Sequence, residues 1–241
     1  MIVNVNMRTE LDLLPDDSAR MMRQATMGTR VFAALRQAIV QLQLRPGNPL
    51  SEAEIGRQLG VSRQPVREAF IKLAESGLVE IRPQRGTFVR LISIREVGNA
   101  RFLREAIEIA IVRKAALEAT DDDIAALRTL VAEQRAVAVG GDNAAFLRLD
   151  EKFHQAIAGS ADCDDAWRVL EGLKAQMDRV RYLSLPEATP LETIIEQHER
   201  IVAAIERRSP EEAEQAMRQH LSEILLSLPK LAARHPAYFV D

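Results

Sequence analysis

Residues Gly60–Phe70 read GVSRQPVREAF, and the reading of this stretch decides the N-terminal fold. Val66, Ala69, Phe70 and Leu73 recur at helical spacing, so the segment is an amphipathic helix with one buried stripe. Arg63, Gln64 and Arg67 lie opposite that stripe in its first turns, with Pro65 at the third helical position. A proline there costs no hydrogen bond, because the first N–H groups of a helix have no intrahelical acceptor. The result is a stiff tip bearing two forked cations and an amide. Arginine matches guanine O6 and N7, glutamine pairs with adenine, and a helix N-terminus favours phosphate, which is the chemistry of entry into a DNA major groove. A solvated helix face would carry the same residue types, so the neighbouring segments have to discriminate.

Working outward, Val31, Leu35, Ala38, Ile39 and Leu42 keep the 3.6 period from about Thr29, until RPGNPL (Arg45–Leu50) interrupts it. Ser51 and Glu54 have capping-box spacing for a short helix ended by Gly60, Ser62 is placed to cap the next, and Gly77 closes it. LVEIRPQRGTFVR (Leu78–Arg90) then reads as two strands joined by a turn at Pro83–Gly86. Arg85 and Gly86 at that turn put a cation and a residue without a side chain where a nucleic-acid backbone or minor groove can come close. Helix, short helix, tight turn, helix and hairpin is the order of a winged helix-turn-helix, assigned to residues 25–92. Residues 1–24 show no sustained periodicity and are read as a flexible arm.

From Ser93 onward strand signals cease. Helices are predicted over about 93–119, 121–139, 142–159, 163–184, 189–207 and 210–228, so residues 93–241 form an all-α antiparallel bundle and the protein is mainly α. Their starts are marked by Thr120 before three aspartates, by the Gly140–Gly141 break, and by Ser209, Pro210 and Glu212. The composition, 47% hydrophobic with 4% aromatic residues, suits aliphatic helix packing. Net charge over the 241 residues is −3, but residues 25–92 hold ten Lys/Arg against five Asp/Glu while residues 93–241 hold nineteen against twenty-six. A basic head on an acidic body suits a polyanion-binding head. No segment reaches membrane-span length, the N-terminus has no basic leader, and the single cysteine, Cys163, cannot form an internal disulfide, so a cytoplasmic protein without a membrane partner is expected.

The bundle carries a second constellation. On LRLDEKFHQAI, Asp150 and His154 sit four apart beside the stripe of Phe146, Leu149, Phe153 and Ile157. His198 lies among Ile194, Ile201 and Ile205, and His220 among Ala213, Met217 and Ile224, so three of the four histidines and an aspartate point into the bundle. A buried carboxylate needs a partner, and a divalent cation satisfies all four residues at once. Zinc suits them best, with nickel, manganese or iron as alternatives. Four separately hydrogen-bonded core residues would show the same spacing.

The run RPGNPLSEAEIGRQLGVSRQPVREAFIKLAESGLVEIRPQRGTFV closely resembles the DNA-binding domain of the GntR family of bacterial transcription regulators. That resemblance implies Arg45, Arg63, Gln64, Arg67, Arg85 and Gly86 as DNA contacts; Gln64 stands where many members carry threonine. LDEKFHQAI, EQHERIVAAI and AMRQHL resemble the three motifs of the FCD domain of the FadR subfamily. It implies a metal on Asp150, His154, His198 and His220, with an effector carboxylate beside it. Arg104 matches the arginine of the family's RxxLE motif, here RxxIE with Glu108, and Arg101 lies one turn earlier; both are candidates for clamping that carboxylate, the alternative for Arg104 being a helix pair with Glu108. Ala161, Asp162 and Cys163 replace the family's Gly-Asn, which predicts a reshaped loop with an acidic group near the pocket. The expected protein is a homodimeric regulator, a repressor rather than an enzyme, on a two-fold symmetric double-stranded operator and responsive to a small organic or sugar acid. A metal-sensing regulator and a metal-dependent enzyme fused to a DNA-binding head are the competing readings.

Overall fold

The computed structural model describes residues 26–185 and 187–241; the arm assigned to residues 1–24 lies outside them. Among the described residues the chain is mainly helical and divides into two compact units. One takes the described residues up to Ile92 together with Ala237–Val240, and the other takes Ser93–Pro236. The last residues thus leave the bundle to which the sequence pattern assigned them.

In the first unit, α1 (Met27–Val40) starts where the Thr26 hydroxyl accepts from Thr29 N, and it buries Val31, Leu35, Ala38 and Ile39. Leu42 does not continue the period as expected. It takes a left-handed conformation (φ 58°) that reverses the chain and turns Leu44 into the core in its place. A two-residue strand absent from the sequence reading follows, β1 (Pro49–Leu50). Two residues are too few for alternation to register.

Helix α2 (Glu52–Leu59) is capped by Ser51, whose hydroxyl accepts from Glu54 N, but the box is half formed because the Glu54 carboxylate turns to Arg57 and Gln58. Gly60, at φ 66°, ends the helix in the left-handed conformation glycine adopts without penalty. Helix α3 (Arg63–Glu75) buries Val66, Ala69, Phe70 and Leu73 as expected, whereas the Ser62 side chain makes no cap hydrogen bond. Strands β2 (Val79–Arg82) and β3 (Gly86–Val89) form the hairpin, and β1 joins its other edge in the order β1-β3-β2, pairing Pro49 with Phe88 and Leu50 with Thr87. The terminal strand β5 (Phe239–Val240) pairs with β4 (Ile92–Ser93).

The second unit contains α4 (Ile94–Glu118), α5 (Asp121–Gly140), α6 (Asn143–Gly159), α7 (Asp164–Leu173), α8 (Ala175–Ser184), α9 (Leu191–Glu206) and α10 (Pro210–Arg234). Their inner faces meet in one core around Val112, Leu127, Phe146, Phe153, Ile195, Ile205 and Met217. Two expectations fail here. The helix predicted over 163–184 is broken at Lys174, which lies between α7 and α8; its ammonium is turned inward to Glu151 and sits 5.7 Å from the Trp167 ring centroid. The last helix does not stop before Pro229 but runs through it to Arg234. Proline frees the carbonyl of Leu225, yet Leu225 is exposed, so water can satisfy that group, while Leu228 and Leu231 beyond it are buried and hold the extension.

Gly56 of α2 is the point of closest approach in the helix-turn-helix: a Cβ there would lie 2.9 Å from the Val61 carbonyl oxygen. Gly56→Ala is expected to destabilise the head by about 1–3 kcal/mol through this backbone clash. Urea unfolding of the variant checks it, and an unchanged midpoint would mean that α2 and the turn can separate freely.

Candidate metal centre and DNA-reading head

The head presents its predicted contacts to solvent. Arg63, Gln64 and Arg67 occupy the first turns of α3, Arg45 lies in the loop after α1, and Arg85 and Gly86 sit at the hairpin tip; all six of these residues are exposed. Gly86 takes φ 98°, which a side chain would oppose. Arg67 is held by a forked pair with Glu52 of α2 at 2.9 and 3.0 Å, and Gln64 donates to Glu68 at 3.1 Å. Both partners pre-orient the reading groups. Because these pairs are solvated, they are weak in water and exchange readily for bases or phosphates. Behind the tip of the wing, Arg82 packs 4.8 Å from the Phe88 ring centroid and pairs with Glu80, so it stiffens the hairpin.

In the bundle, α6, α9 and α10 bring Asp150, His154, His198 and His220 together, all four buried, with one donor atom from each within 4.8 Å of every other. Each imidazole is held from outside through Nδ1. His198 Nδ1 donates to Gln134 Oε1 at 2.7 Å, and His220 Nδ1 donates to Gln197 Oε1 at 3.0 Å. Gln197 is itself fixed, because its amide nitrogen donates to Glu223 at 3.2 Å, which leaves its oxygen for His220. His154 Nδ1 stands 2.5 Å from Glu108 Oε2, a close ionic contact set off the ring N–H direction.

Donation from Nδ1 of His198 and His220 leaves their Nε2 atoms as acceptors on the inner side, toward Asp150 and His154. His154 Nε2 and His220 Nε2 are 3.1 Å apart, and His198 Nε2 has no hydrogen-bond partner and lies 3.6 Å from Asp150 Oδ1. Burial pushes His198 down to about 3 and His220 well below the ordinary imidazole range, so neither supplies the missing proton. A buried imidazole acceptor with no donor, beside a buried carboxylate, is unfavourable unless a cation lies between them. Donors around a tetrahedral ion with bonds of about 2.0–2.1 Å stand roughly 3.3 Å apart, and here they run from 3.1 Å to within 4.8 Å, so the quartet would tighten around an ion. The donor set fits a divalent metal, and the orphaned His198 Nε2 is the atom that fit explains.

Sequence reasoning missed the outer partners Gln134 and Gln197, and above all Arg181 of α8, which pairs with Asp150 Oδ2. Burial would raise the Asp150 pKa, but the guanidinium charge outweighs it and holds the carboxyl well below its usual range. Beside the quartet lies a cavity of about 50 Å³ lined by Arg101, Arg104, Asp150, Arg181 and His220 among others. The two predicted clamp residues reach it while each holding a carboxylate one turn on, Arg101 with Glu105 and Arg104 with Glu108. The Arg104–Glu108 pair, weighed as the plain alternative, therefore forms, and it is nearly fully buried. Between Arg104 and His154, Glu108 is held down to about 2: burial pushes it up, but the Arg104 and His154 charges outweigh that. Asp162 does not bring an acidic group to the pocket. It is exposed in a left-handed turn (φ 53°), and the Ala161 carbonyl beside it accepts from Lys114 at 2.6 Å.

Comparison with known proteins follows the same division. Residues 28–89 match the family described as bacterial regulatory proteins, gntR family, and residues 100–223 match the FCD domain. The HTH-type transcriptional repressor RspR of Escherichia coli (strain K12) is 43% identical over 212 residues, 88% of this chain and 93% of that protein. A probable D-xylose utilization operon transcriptional repressor of Paenarthrobacter nicotinovorans is 30% identical, covering 87% of this chain and 92% of its own length. Among solved structures, E. coli McbR/YncC superposes with a TM-score of 0.74 at 21% identity over 88% of this chain and 99% of that one, which establishes the shared fold.

Glu108→Gln keeps the shape but leaves the Arg104 charge buried without a counter-charge. In the presence of a chelator the variant is expected to lose about 3–5 kcal/mol of stability, the cost of breaking a buried pair from one side. Denaturant unfolding measures it, and a loss under about 1 kcal/mol would mean that Arg104 finds solvent.

Proposed function

The chain belongs to the GntR family of bacterial regulatory proteins and carries an FCD domain, and on that premise we propose that it is a homodimeric operator-binding repressor gated by a metal-dependent carboxylate site. Its family and relatives are DNA-binding transcription regulators rather than enzymes, which removes the metal-dependent enzyme from the competing readings. Repression is supported by the relatives named as repressors. A single recognition helix reads too few base pairs to select one site in a genome, which supports two copies on a two-fold symmetric operator.

The observation that supports the metal reading is the convergence of three buried imidazoles and one carboxylate, with His198 Nε2 lacking a hydrogen-bond partner. Asp150, His154, His198 and His220 would hold the ion, with zinc favoured by three imidazoles and nickel, manganese and iron as alternatives. Once bound, the ion would supply a fixed positive charge beside the cavity. Arg101 and Arg104 line that cavity and supply forked donors for a carboxylate, so the effector class is a small organic acid; the D-xylose operon named for one relative makes a sugar acid a reasonable first candidate. An effector regulates only if it binds one arrangement of the two heads better than another.

A second reading, in which the ion itself is the signal, draws support from the small cavity of about 50 Å³. It requires operator affinity to follow zinc concentration with no organic acid present.

Arg67→Ala is expected to weaken operator binding about tenfold or more in a gel shift at moderate salt, since a forked base contact is lost. Undiminished binding would remove Arg67 from the interface. His154→Ala is expected to abolish the zinc found by elemental analysis of the purified protein; full metal content in that variant would place the ion elsewhere.

A further inference from the structure

Three arginines, Arg101, Arg104 and Arg181, line the cavity beside the quartet, and they differ in what holds them. Arg101 and Arg104 are each bound to a glutamate of their own helix, neither of which belongs to the quartet. Arg181 is instead bound to Asp150 Oδ2, and its other acidic neighbour, Asp178, stands 3.8 Å away. Asp150 is 1% exposed, so its carboxylate must be neutralised from within the protein, and in this arrangement Arg181 does so. Both roles of Asp150 draw on the same single charge. Oδ2, the oxygen taken by Arg181, is also the oxygen 4.0 Å from His154 Nε2, while Oδ1 faces His198 Nε2 at 3.6 Å.

We infer that Arg181 is an anion-binding residue released by metal: Asp150 exchanges Arg181 for the ion, and the freed guanidinium, repelled by the new positive charge, turns into the cavity to take the effector's carboxylate. The inference rests on the metal reading given under Proposed function and deepens it. It gives binding an order, metal before acid, because Arg181 has no forked pair to offer while Asp150 occupies it. It also explains how one small cavity couples two ligands without a long pathway: the ion competes with Arg181 for Asp150, and the acid takes the guanidinium so released.

The test uses the full-length protein stripped with a chelator, zinc chloride as the metal and acetate as the carboxylate probe, read by calorimetry and thermal denaturation. Without metal, Arg181→Met is expected to melt below wild type, because Asp150 is left buried and unpaired. Zinc then raises the melting temperature of the variant by more than that of wild type, with about tenfold tighter binding, within the usual range of site coupling. Acetate stabilises zinc-loaded wild type further, but neither zinc-free wild type nor zinc-loaded Arg181→Met. Arg181→Lys, which keeps the charge and loses the fork, covers the case in which the methionine variant does not fold without metal; it gives a zinc increment above wild type and an acetate increment below it. Zinc increments in the folded variants no larger than wild type's, or undiminished acetate stabilisation, overturn the inference while leaving the metal site standing. Wild type that binds no zinc overturns the metal reading itself, and the role of Arg181 with it.

Discussion

Burial of Asp150 among three imidazoles is the constraint around which the second unit is arranged. A carboxylate at 1% exposure needs a counter-charge, and imidazoles at that depth are driven to their neutral form, as burial does to His198 and His220. A neutral imidazole has one donor and one acceptor, so fixing Nδ1 from outside decides where Nε2 looks. Gln134 and Gln197 do this with amide oxygens, and Glu108 with a carboxylate that Arg104 in turn supports. Phe153 stacks on His198 at 4.2 Å between centroids and closes one side. Each of these partners makes sense if the inner face is built for a cation, since outer hydrogen bonds orient metal-ligating histidines and raise their basicity. As a collection of separate core residues, the same arrangement leaves His198 Nε2 without a hydrogen-bond partner.

The head works under the opposite regime. Its chemistry-bearing side chains are exposed, and the pairs they make, Arg67 with Glu52 and Gln64 with Glu68, are solvated and exchangeable. What has to be rigid there is the backbone beneath them. Gly56 lets α2 approach the turn, Gly60 reverses the chain, and the buried faces of α1 and α3 lock together through Leu35, Ile39, Val66 and Phe70. A reading surface needs side chains that are free to meet DNA on a frame that does not move, whereas the quartet needs side chains that cannot move at all. The charge division of the sequence, basic to residue 92 and acidic beyond, reflects that difference of task.

What the sequence made legible follows from contrast. The stripe of Val66, Ala69, Phe70 and Leu73 against exposed arginines could be read directly, and so could His154, His198 and His220, because a histidine on an aliphatic stripe stands out. Gln134 completes the stripe of Ile124, Leu127 and Val131 and carried the same signal, unused because glutamine suggests no ligand. Arg181 carried none. On α8 the residues from Ala175 to Val180 are all buried, polar and apolar alike, so there is no polar face for periodicity to register. Strands β1 and β5, two residues each, are too short for alternation and owe their existence to partners distant in sequence. The break at Lys174 and the run through Pro229 were decided by tertiary contacts of Lys174, Leu228 and Leu231, which override local preference.

The size of the cavity constrains how such a site can signal. A cavity of about 50 Å³ is small for an organic acid of several carbons. A carboxylate ligand can therefore enter only if lining groups withdraw, and those with the longest reach are the arginines, whose stems swing without disturbing helix packing. Arg101 and Arg104 withdraw at the expense of their own ion pairs, and Arg104 at the further expense of leaving Glu108 exposed to His154 alone. Arg181 sits on α8, between the break at Lys174 and the turn at Leu185, and is bound to Asp150 itself. Movement there reaches Asp150 in one step. A ligand that must displace groups to enter binds the displaced arrangement by construction, and such a difference in affinity between two arrangements is what any response to an effector requires.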